Sequence, residues 1–385
     1  MLPRSLLTDS DRTPTSQDKF ISLAQSYGLD APHSVLVESS QELLRVLKSP
    51  NQPPRILKCA AELDDFGRSD LTLYPFRDSQ GQPDWAATER RARSLGIPIS
   101  KETPYLAQEF VGGPRASEWC THATILAGEV RAFVCCPSHD MLMTYYPARE
   151  THPMHQRTLQ WTKDFLDGLK QDPRWQGKCL DGHYSFDFIH KPEGLSDSGS
   201  DNADDDDFYT LGSVVAIECN PRVHTAVGLL SDSLAFGAVY GKPSTRPSGE
   251  KTDGKSYASA AAEPVNFDEF KSSPSIVTVP AGADSMSWLG HDLPARLLPL
   301  VLPKRLRTYV HPLWLFKSEV GHREIVKDMD LDSPGRRDAA WDPEDPWPFF
   351  VLYHVAWPYL LLRQIFVRRK AWSRINVSTA RIFEC

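Results

Sequence analysis

Two short stretches of the chain carry oxygen-bearing side chains in a pattern that suits a divalent cation. The first is Gly212-Ser-Val-Val-Ala-Ile-Glu-Cys-Asn-Pro-Arg-Val-His. Its composition predicts a strand over Ser213–Asn220, and side chains alternate faces along a strand. On strict alternation Ala216, Glu218 and Asn220 share one face, and Val215, Ile217 and Cys219 share the other. A carboxylate and an amide two residues apart, just before a proline, form a compact pair of hard oxygen donors. Mg²⁺ takes such donors alongside water and phosphate. Arg222 and His224 follow at the loop mouth, where an anion can be held. Taken alone, the segment reads equally as a capped strand end facing water. The second stretch is Tyr184-Ser-Phe-Asp-Phe-Ile, with Tyr184, Phe186 and Phe188 on one apolar face and Ser185, Asp187 and Ile189 on the other. If the two strands pair as a hairpin, Asp187 faces Glu218 and Asn220, and a divalent cation would relieve the repulsion of the two carboxylates. The bland alternative is an edge-strand Asp facing solvent.

Lysines would supply the other half of a nucleotide site. Lys58 lies in Arg55-Ile-Leu-Lys-Cys-Ala among apolar neighbours, where it either snorkels to the surface or aims at a phosphate. The polar loop Glu62 to Asp70 follows it, and Lys19 opens the first predicted helix. Tyr105-Leu-Ala-Gln-Glu-Phe-Val-Gly-Gly is expected to be an edge strand whose backbone reads an adenine; otherwise it is a buried strand ending in a Gly-Gly turn. No Ser-His or Cys-His arrangement points to a nucleophile. Cys135 and Cys136 are adjacent on a predicted strand and so point to opposite faces.

The elements that must position these residues are legible in outline. Helices are expected at Lys19 to Tyr27, with Ser16 as N-cap and Gly28 as stop, and at Gln41 to Leu47, Glu89 to Leu95 and Leu159 to Leu169. Short strands at Leu36-Val37 and Ile56-Leu57 give a β-α-β alternation. Ala123 to Ala127 and Val130 to Cys135 read as a hairpin turning at Gly128-Glu129. The acidic block Asp204 to Asp207 reads as a solvated, disordered hairpin tip, because consecutive like charges repel and cannot converge on one ion. Lys242 to Pro264 reads as a flexible linker. Trp347 to Val367 is the most apolar window, but Pro348, His354, Pro358 and Arg363 interrupt it, which favours a buried helix over a membrane span.

Composition excludes several classes. With 385 residues, 41% hydrophobic and 24% charged, the chain is neither disordered throughout nor a polytopic membrane protein. A net charge of -7 disfavours bulk nucleic-acid binding. The start, MLPRSLLTDSDRTPTSQD, has no apolar core of signal-peptide length. Seven cysteines without a CxxC pair fit a reducing, cytoplasmic setting.

The ordered set of pieces resembles the ATP-grasp superfamily over about Gln17 to Leu230. The pieces are Asp18-Lys19, Ile56-Leu57-Lys58, Gln108 to Gly113, Glu118-Trp-Cys-Thr-His before the hairpin, Ser185 to Ile189 and Ile217 to Ala226. Within the superfamily the chain looks like the mycosporine-glycine-synthase-like branch and fungal natural-product enzymes of fumisoquin-type clusters, which share a C-terminal segment similar to Asp345 through Asn376. The resemblance implies an α+β fold of two subdomains clasping ATP. Residues 1–16 would be disordered, 17–106 and 107–240 the two subdomains, 241–276 a flexible loop and 277–385 a mostly helical family-specific segment. The α/β subdomain that usually precedes the position of Lys19 is apparently missing.

The implied roles place Lys19 and Lys58 on the phosphates, and Gln108, Glu109, Phe110 and Val111 on adenine. Glu118 would lie near the ribose, although Pro114 to Ser117 push it further along than the family pattern. Asp187, Glu218 and Asn220 would hold Mg²⁺ or Mn²⁺, and Arg222 the transferred phosphoryl group. The implied activity is an ATP-dependent carboxylate–amine ligase using an acyl phosphate, in secondary metabolism, with small-molecule partners, no nucleic acid or membrane, and a homodimer allowed. The alternative is a catalytically weak nucleotide-binding homologue with a scaffold or regulatory role.

Overall fold

The computed structural model describes residues 17–60, 72–113, 115–138, 143–175, 179–192, 205–231, 233–240, 275–288, 290, 336–367, 373–375 and 382–384. The expectations for residues 1–16, for the Glu62 to Asp70 loop and for the 242–264 stretch lie outside them. The described chain is α+β, with antiparallel pairing throughout its two main sheets.

The first sheet holds β1 (Ser34–Val37), β2 (Arg55–Cys59) and β3 (Tyr105–Glu109), in the order β1-β3-β2. Helix α1 (Gln17–Ser26) precedes it, and α2 (Ser40–Leu47) links β1 to β2. The Ser39 hydroxyl accepts the Glu42 N–H to start α2. Helix α3 (Trp85–Arg93) begins four residues before the predicted Glu89, because Asp84 caps it by accepting the Ala87 N–H. Val37, Leu43, Leu47, Leu57, Tyr74, Ala92 and Tyr105 form the core of this unit.

Strand β3 is the central strand of the sheet, not the expected edge. Both of its sides are in ladders, to Ser34–Val37 and to Arg55–Cys59. The backbone N–H groups of Glu109 and Phe110 are also taken, by the carbonyls of His33 and Pro54. An edge must leave one row of backbone groups open, and here that opens only past Phe110. The subdomain boundary expected at 106/107 runs through this strand.

The second sheet is built from β4 (Ser117–Leu126), β5 (Glu129–Pro137), β7 (Gly182–Lys191) and β8 (Ser213–Asn220), in the order β5-β4-β7-β8. The β4–β5 hairpin turns at Ala127-Gly128, one residue earlier than expected, with both residues at positive φ (51 and 76). That conformation matches the right-handed twist of a tight hairpin, and glycine adopts it freely.

Helix α4 (Pro153–Gln171) covers one face of the sheet and starts six residues before the predicted Leu159, with Pro153 in its first turn. Trp161, Phe165 and Leu169 of α4 meet Phe186 and Phe188 of β7, and α1 adds Phe20, Ile21 and Ala24 to the same core. The rings of Trp161 and Phe165 stack at 5.5 Å, and Phe20 meets Phe165 edge-on at 5.4 Å. Helix α1 therefore belongs to this second core, although it precedes the first sheet in sequence.

Smaller elements finish the molecule. Between β7 and β8, residues 205–210 form a short helix, α5 (Asp205–Thr210), so the acidic residues 205–207 are helical where the sequence predicts a disordered tip, while Asp204 lies outside the described residues. A 3-10 turn (Thr225–Leu230) and α6 (Leu234–Tyr240) follow β8. Strand β6 (Thr144–Tyr145) joins β9 (Ser285–Ser287) and β10 (Arg336–Asp338) in a three-stranded sheet. Residues 347–367 form one helical run, and β11 (Ser373–Ile375) pairs with β12 (Ile382–Glu384). Unlike the buried helix expected, most of the run is exposed. No helix among the described residues is long and apolar enough to cross a membrane.

One side chain closes a gap in the second sheet. The β4–β7 pairing steps from Cys120–Asp187 to Ala123–Tyr184, and at the gap the buried Thr121 hydroxyl donates to the Phe186 carbonyl at 2.8 Å and accepts its N–H at 3.2 Å. Thr121→Val keeps the shape but leaves both backbone groups without this partner. It is expected to lower stability by about 1–3 kcal/mol, read from denaturant unfolding.

Candidate functional site

The β7–β8 ladder brings the predicted carboxylates together. Asp187 is the cross-strand partner of Glu218, and Ser185 is that of Asn220. The Asn220 amide donates to Asp187 Oδ2 at 3.2 Å, and the Ser185 hydroxyl donates to Asp187 Oδ1, also at 3.2 Å. On β7 the alternation holds: Phe186 and Phe188 enter the aromatic core, while Asp187 lies on the opposite, partly exposed face.

On β8 the strict alternation fails, and a bulge is the reason. Asp187 pairs with Glu218, but the next residue, Phe188, pairs with Ala216. Ile217 is the extra residue. Ala216 therefore sits in the core with Val214 and Cys219, and does not share a face with Glu218 and Asn220. A bulge places two residues opposite one and re-aims the side chains beyond it. Without it, the apolar residues Val214 and Ala216 and the polar residues Glu218 and Asn220 would compete for one face.

The bulge also receives the other sheet. Lys58 Nζ, on β2, donates to the carbonyl of Ile217 at 3.4 Å. The predicted phosphate lysine thus reaches the strand that carries Glu218 and Asn220. This contact joins residues 159 positions apart and spans the two sheets.

The remaining predicted residues are more dispersed. Arg222 turns back on the strand end, its N–H donating to the Asn220 carbonyl at 2.8 Å. Gln108 is 1% exposed in the first sheet, and its amide donates to the Ser34 hydroxyl at 3.3 Å. Glu109 is half-buried, Phe110 is exposed and Val111 is half-buried just past β3, where backbone groups leave the ladder. Glu118 is exposed at the start of β4 and accepts from the Ser138 hydroxyl at 3.3 Å. Lys19 is exposed on α1.

Two histidines of the second sheet that the sequence reading did not single out, His122 and His183, lie beside the predicted loop residue His224. His122 of β4 is fully buried, and its ring stacks on His183 of β7 at 5.2 Å. Its Nδ1 accepts the backbone N–H of His224 at 3.3 Å, which ties the loop after β8 to the sheet. The His224 ring accepts the Ala226 N–H and so caps the 3-10 turn. An Nδ1 that accepts holds the neutral ring with its proton on Nε2, next to the Thr124 hydroxyl at 3.3 Å. Burial first, then the neighbouring His183 and His224, push His122 down to about 3. Burial first, then the Arg222 charge, push His224 down to about 4. The signal available in the sequence was the position of His122 two residues from Cys120 on a strand, on the face that carries the site.

The two carboxylates and the Asn220 side chain supply hard oxygen donors on adjacent strands, a chemistry that fits Mg²⁺ with water and phosphate completing its shell. Among the described residues no group of three or more His, Cys, Asp or Glu side chains is placed to hold a metal by itself.

No protein-family model and no curated protein matches the chain. Among solved structures, the chain is similar to an ADP complex of N5-carboxyaminoimidazole ribonucleotide synthetase. The identity is 16% over 57% of this chain and 47% of that one, with a TM-score of 0.38. It is similar to a phosphoribosylamine–glycine ligase from Thermotoga maritima, at 15% identity over 58% of this chain and 52% of that one, TM-score 0.38. It is also similar to an L-amino acid ligase from Bacillus licheniformis, at 13% identity over 54% and 40%, TM-score 0.32. The chain spans about half the length of these proteins, or less.

The histidine contacts set an acid limit on the fold. The folded-state values of His122 and His224 lie below the ordinary 6.5, so the unfolded chain binds more protons. Their contribution is complete above about pH 6.5 and is lost as pH falls from there towards about 4 and 3. The urea midpoint should fall steadily from pH 7 to pH 4, and His122→Gln should flatten that slope.

Proposed function

We propose that the chain is an ATP-grasp ligase that couples a carboxylate to an amine, with ATP converted to ADP and phosphate. The observation that carries this reading is the opposition of Asp187 and Glu218, with Asn220 on Asp187, on the strand that Lys58 reaches from the other sheet. Two carboxylates set opposite one another repel. A lysine beside a candidate magnesium site is the arrangement a bound triphosphate requires.

In the proposed reaction a carboxylate oxygen attacks the γ-phosphorus of ATP. The bond to the bridging oxygen breaks, ADP leaves and an acyl phosphate forms. The amine nitrogen then attacks the acyl carbon, the bond to the phosphate oxygen breaks, phosphate leaves, and the nitrogen loses a proton. No protein nucleophile is needed, so the chain acts by positioning and charge neutralisation. Lys58 and Lys19 would hold the triphosphate, and Arg222 the transferred phosphoryl group. Gln108, Glu109, Phe110 and Val111 would line the adenine, with Glu118 near the ribose. Asp187, Glu218 and Asn220 would hold Mg²⁺ or Mn²⁺. When bound, that ion would offset negative charge on the phosphates.

Lys58 has a definite starting point: its contact with the Ile217 carbonyl holds the ammonium at the strand that carries Glu218. Exchange of that neutral carbonyl for a charged phosphate oxygen gives a stronger hydrogen bond. The motif resemblance supports an amino acid as amine donor, a small carboxylate or enol-type acceptor, and a role in cytoplasmic secondary metabolism.

The test is ADP release from MgATP across a panel of carboxylates and amino acids. Release that requires both partners is expected, and Asp187→Ala and Glu218→Ala should each lower it at least about a hundredfold without loss of the folded circular dichroism. Unchanged turnover in both variants would overturn the reading. MgATP binding without ADP release over the whole panel would point instead to a nucleotide-binding homologue with a scaffold or regulatory role.

A further inference from the structure

The helical run 347–367 has two unlike faces. One is anchored to the rest of the protein. Phe349, Tyr353 and Trp357 succeed one another at steps of four, with ring centroids 4.9 and 5.0 Å apart. The Tyr353 hydroxyl donates to Asp338 of β10 at 3.0 Å, and Trp357 is buried. Gly290 lies under Tyr353, where an added Cβ would collide with the ring.

The other face is apolar and exposed. It carries Trp347, Val351, Val355, Tyr359, Leu362 and Phe366, with Trp347 at 71% and Phe366 at 73% exposure. The run keeps these residues in line by alternating α-helical turns with the wider turns Leu352–Ala356 and Arg363–Val367. The first wide turn directly precedes Trp357-Pro358, where proline lacks an N–H and crowds the carbonyl four residues back. Mixing the two kinds of turn raises the mean residues per turn above the α-helical value. Residues four apart then stay on one stripe.

We propose that this stripe is the interface of an isologous homodimer, in which the run pairs antiparallel with the same run of a second copy. Two observations select that occupant. The first is area. At roughly 150–250 Å² for each aromatic side chain, the exposed parts of Trp347, Tyr359 and Phe366, together with the aliphatic residues between them, reach several hundred Å². That approaches the roughly 800 Å² each partner gives to a stable complex and is at the upper end of what a monomer leaves open. Over 21 residues at about 1.5 Å each the stripe is about 30 Å long, a helix-length contact.

The second observation is charge. The exposed residues Asp342, Glu344 and Asp345 precede the run, whereas exposed Arg363 lies near its end and Arg368-Arg369-Lys370 follow in sequence. An antiparallel pair sets each acidic end beside the other copy's basic end, twice by symmetry. A parallel pair would set like charges together.

Sedimentation velocity of the full chain from 1 to 100 μM, in about 0.15 M salt, tests this. A dimer is expected. Val355→Asp should raise its dissociation constant at least about tenfold. Arg363→Glu should weaken it too, and adding Glu344→Arg should restore it, because reversing both charges recreates the antiparallel match. Circular dichroism checks the fold, and if Val355→Asp fails that check the Arg363–Glu344 exchange decides alone. A monomer at every concentration would overturn the proposal, as would a dimer indifferent to all these changes. Co-sedimentation of a monomer with phosphatidylcholine–phosphatidylserine vesicles would assign the stripe to a lipid surface instead.

Discussion

The bulged pairing of β7 with β8 is the constraint on which the rest of the arrangement depends. One extra residue, Ile217, lets a single strand place Val214, Ala216 and Cys219 in an aromatic core and still turn Glu218 and Asn220 to the opposite face. The same slip frames the carbonyl that Lys58 reaches from the first sheet. A regular ladder would send either the core residues or the polar pair to the wrong side, since a shift of one residue inverts every face beyond it.

Opposed carboxylates are unfavourable neighbours on a sheet, at roughly 0.2–1 kcal/mol for like charges across strands. Packing from behind and bonding from the side hold them there. Phe186 and Phe188 flank Asp187 in sequence and are fully buried against α4, so β7 cannot slide to relieve the repulsion. Thr121 secures the Phe186 backbone from the β4 side. His122, held neutral, fastens the loop that carries Arg222 and His224 to the same sheet. The proposed ligase chemistry needs such fixed groups, because a site that works by positioning and charge gains most from donors and acceptors set in advance.

The organisation also joins segments that are far apart in sequence. Helix α1 comes first in the described chain yet completes the second core, so the aromatic cluster holds both ends of residues 17–220 together. The first sheet keeps a separate, smaller core and meets the second through Lys58. The helical run lies against β10 through Asp338 and Tyr353 and leaves its other face outward.

Several features were legible in the sequence because they are local. The aromatic alternation Tyr184, Phe186, Phe188 announced β7 and the face of Asp187. The E-x-N-P-R order marked the end of β8. Three decisions belonged to the tertiary structure alone. Hydrogen-bond register is a property of two strands, so the bulge at Ile217 that moved Ala216 into the core has no signature in β8 by itself. Whether a strand is central or edge depends on which others join it, so the place of β3 between β1 and β2 could not be read from Tyr105 to Glu109. Burial depends on neighbours distant in the chain, which is why the most apolar window, Trp347 to Val367, is a helix as its composition suggested but carries an exposed stripe.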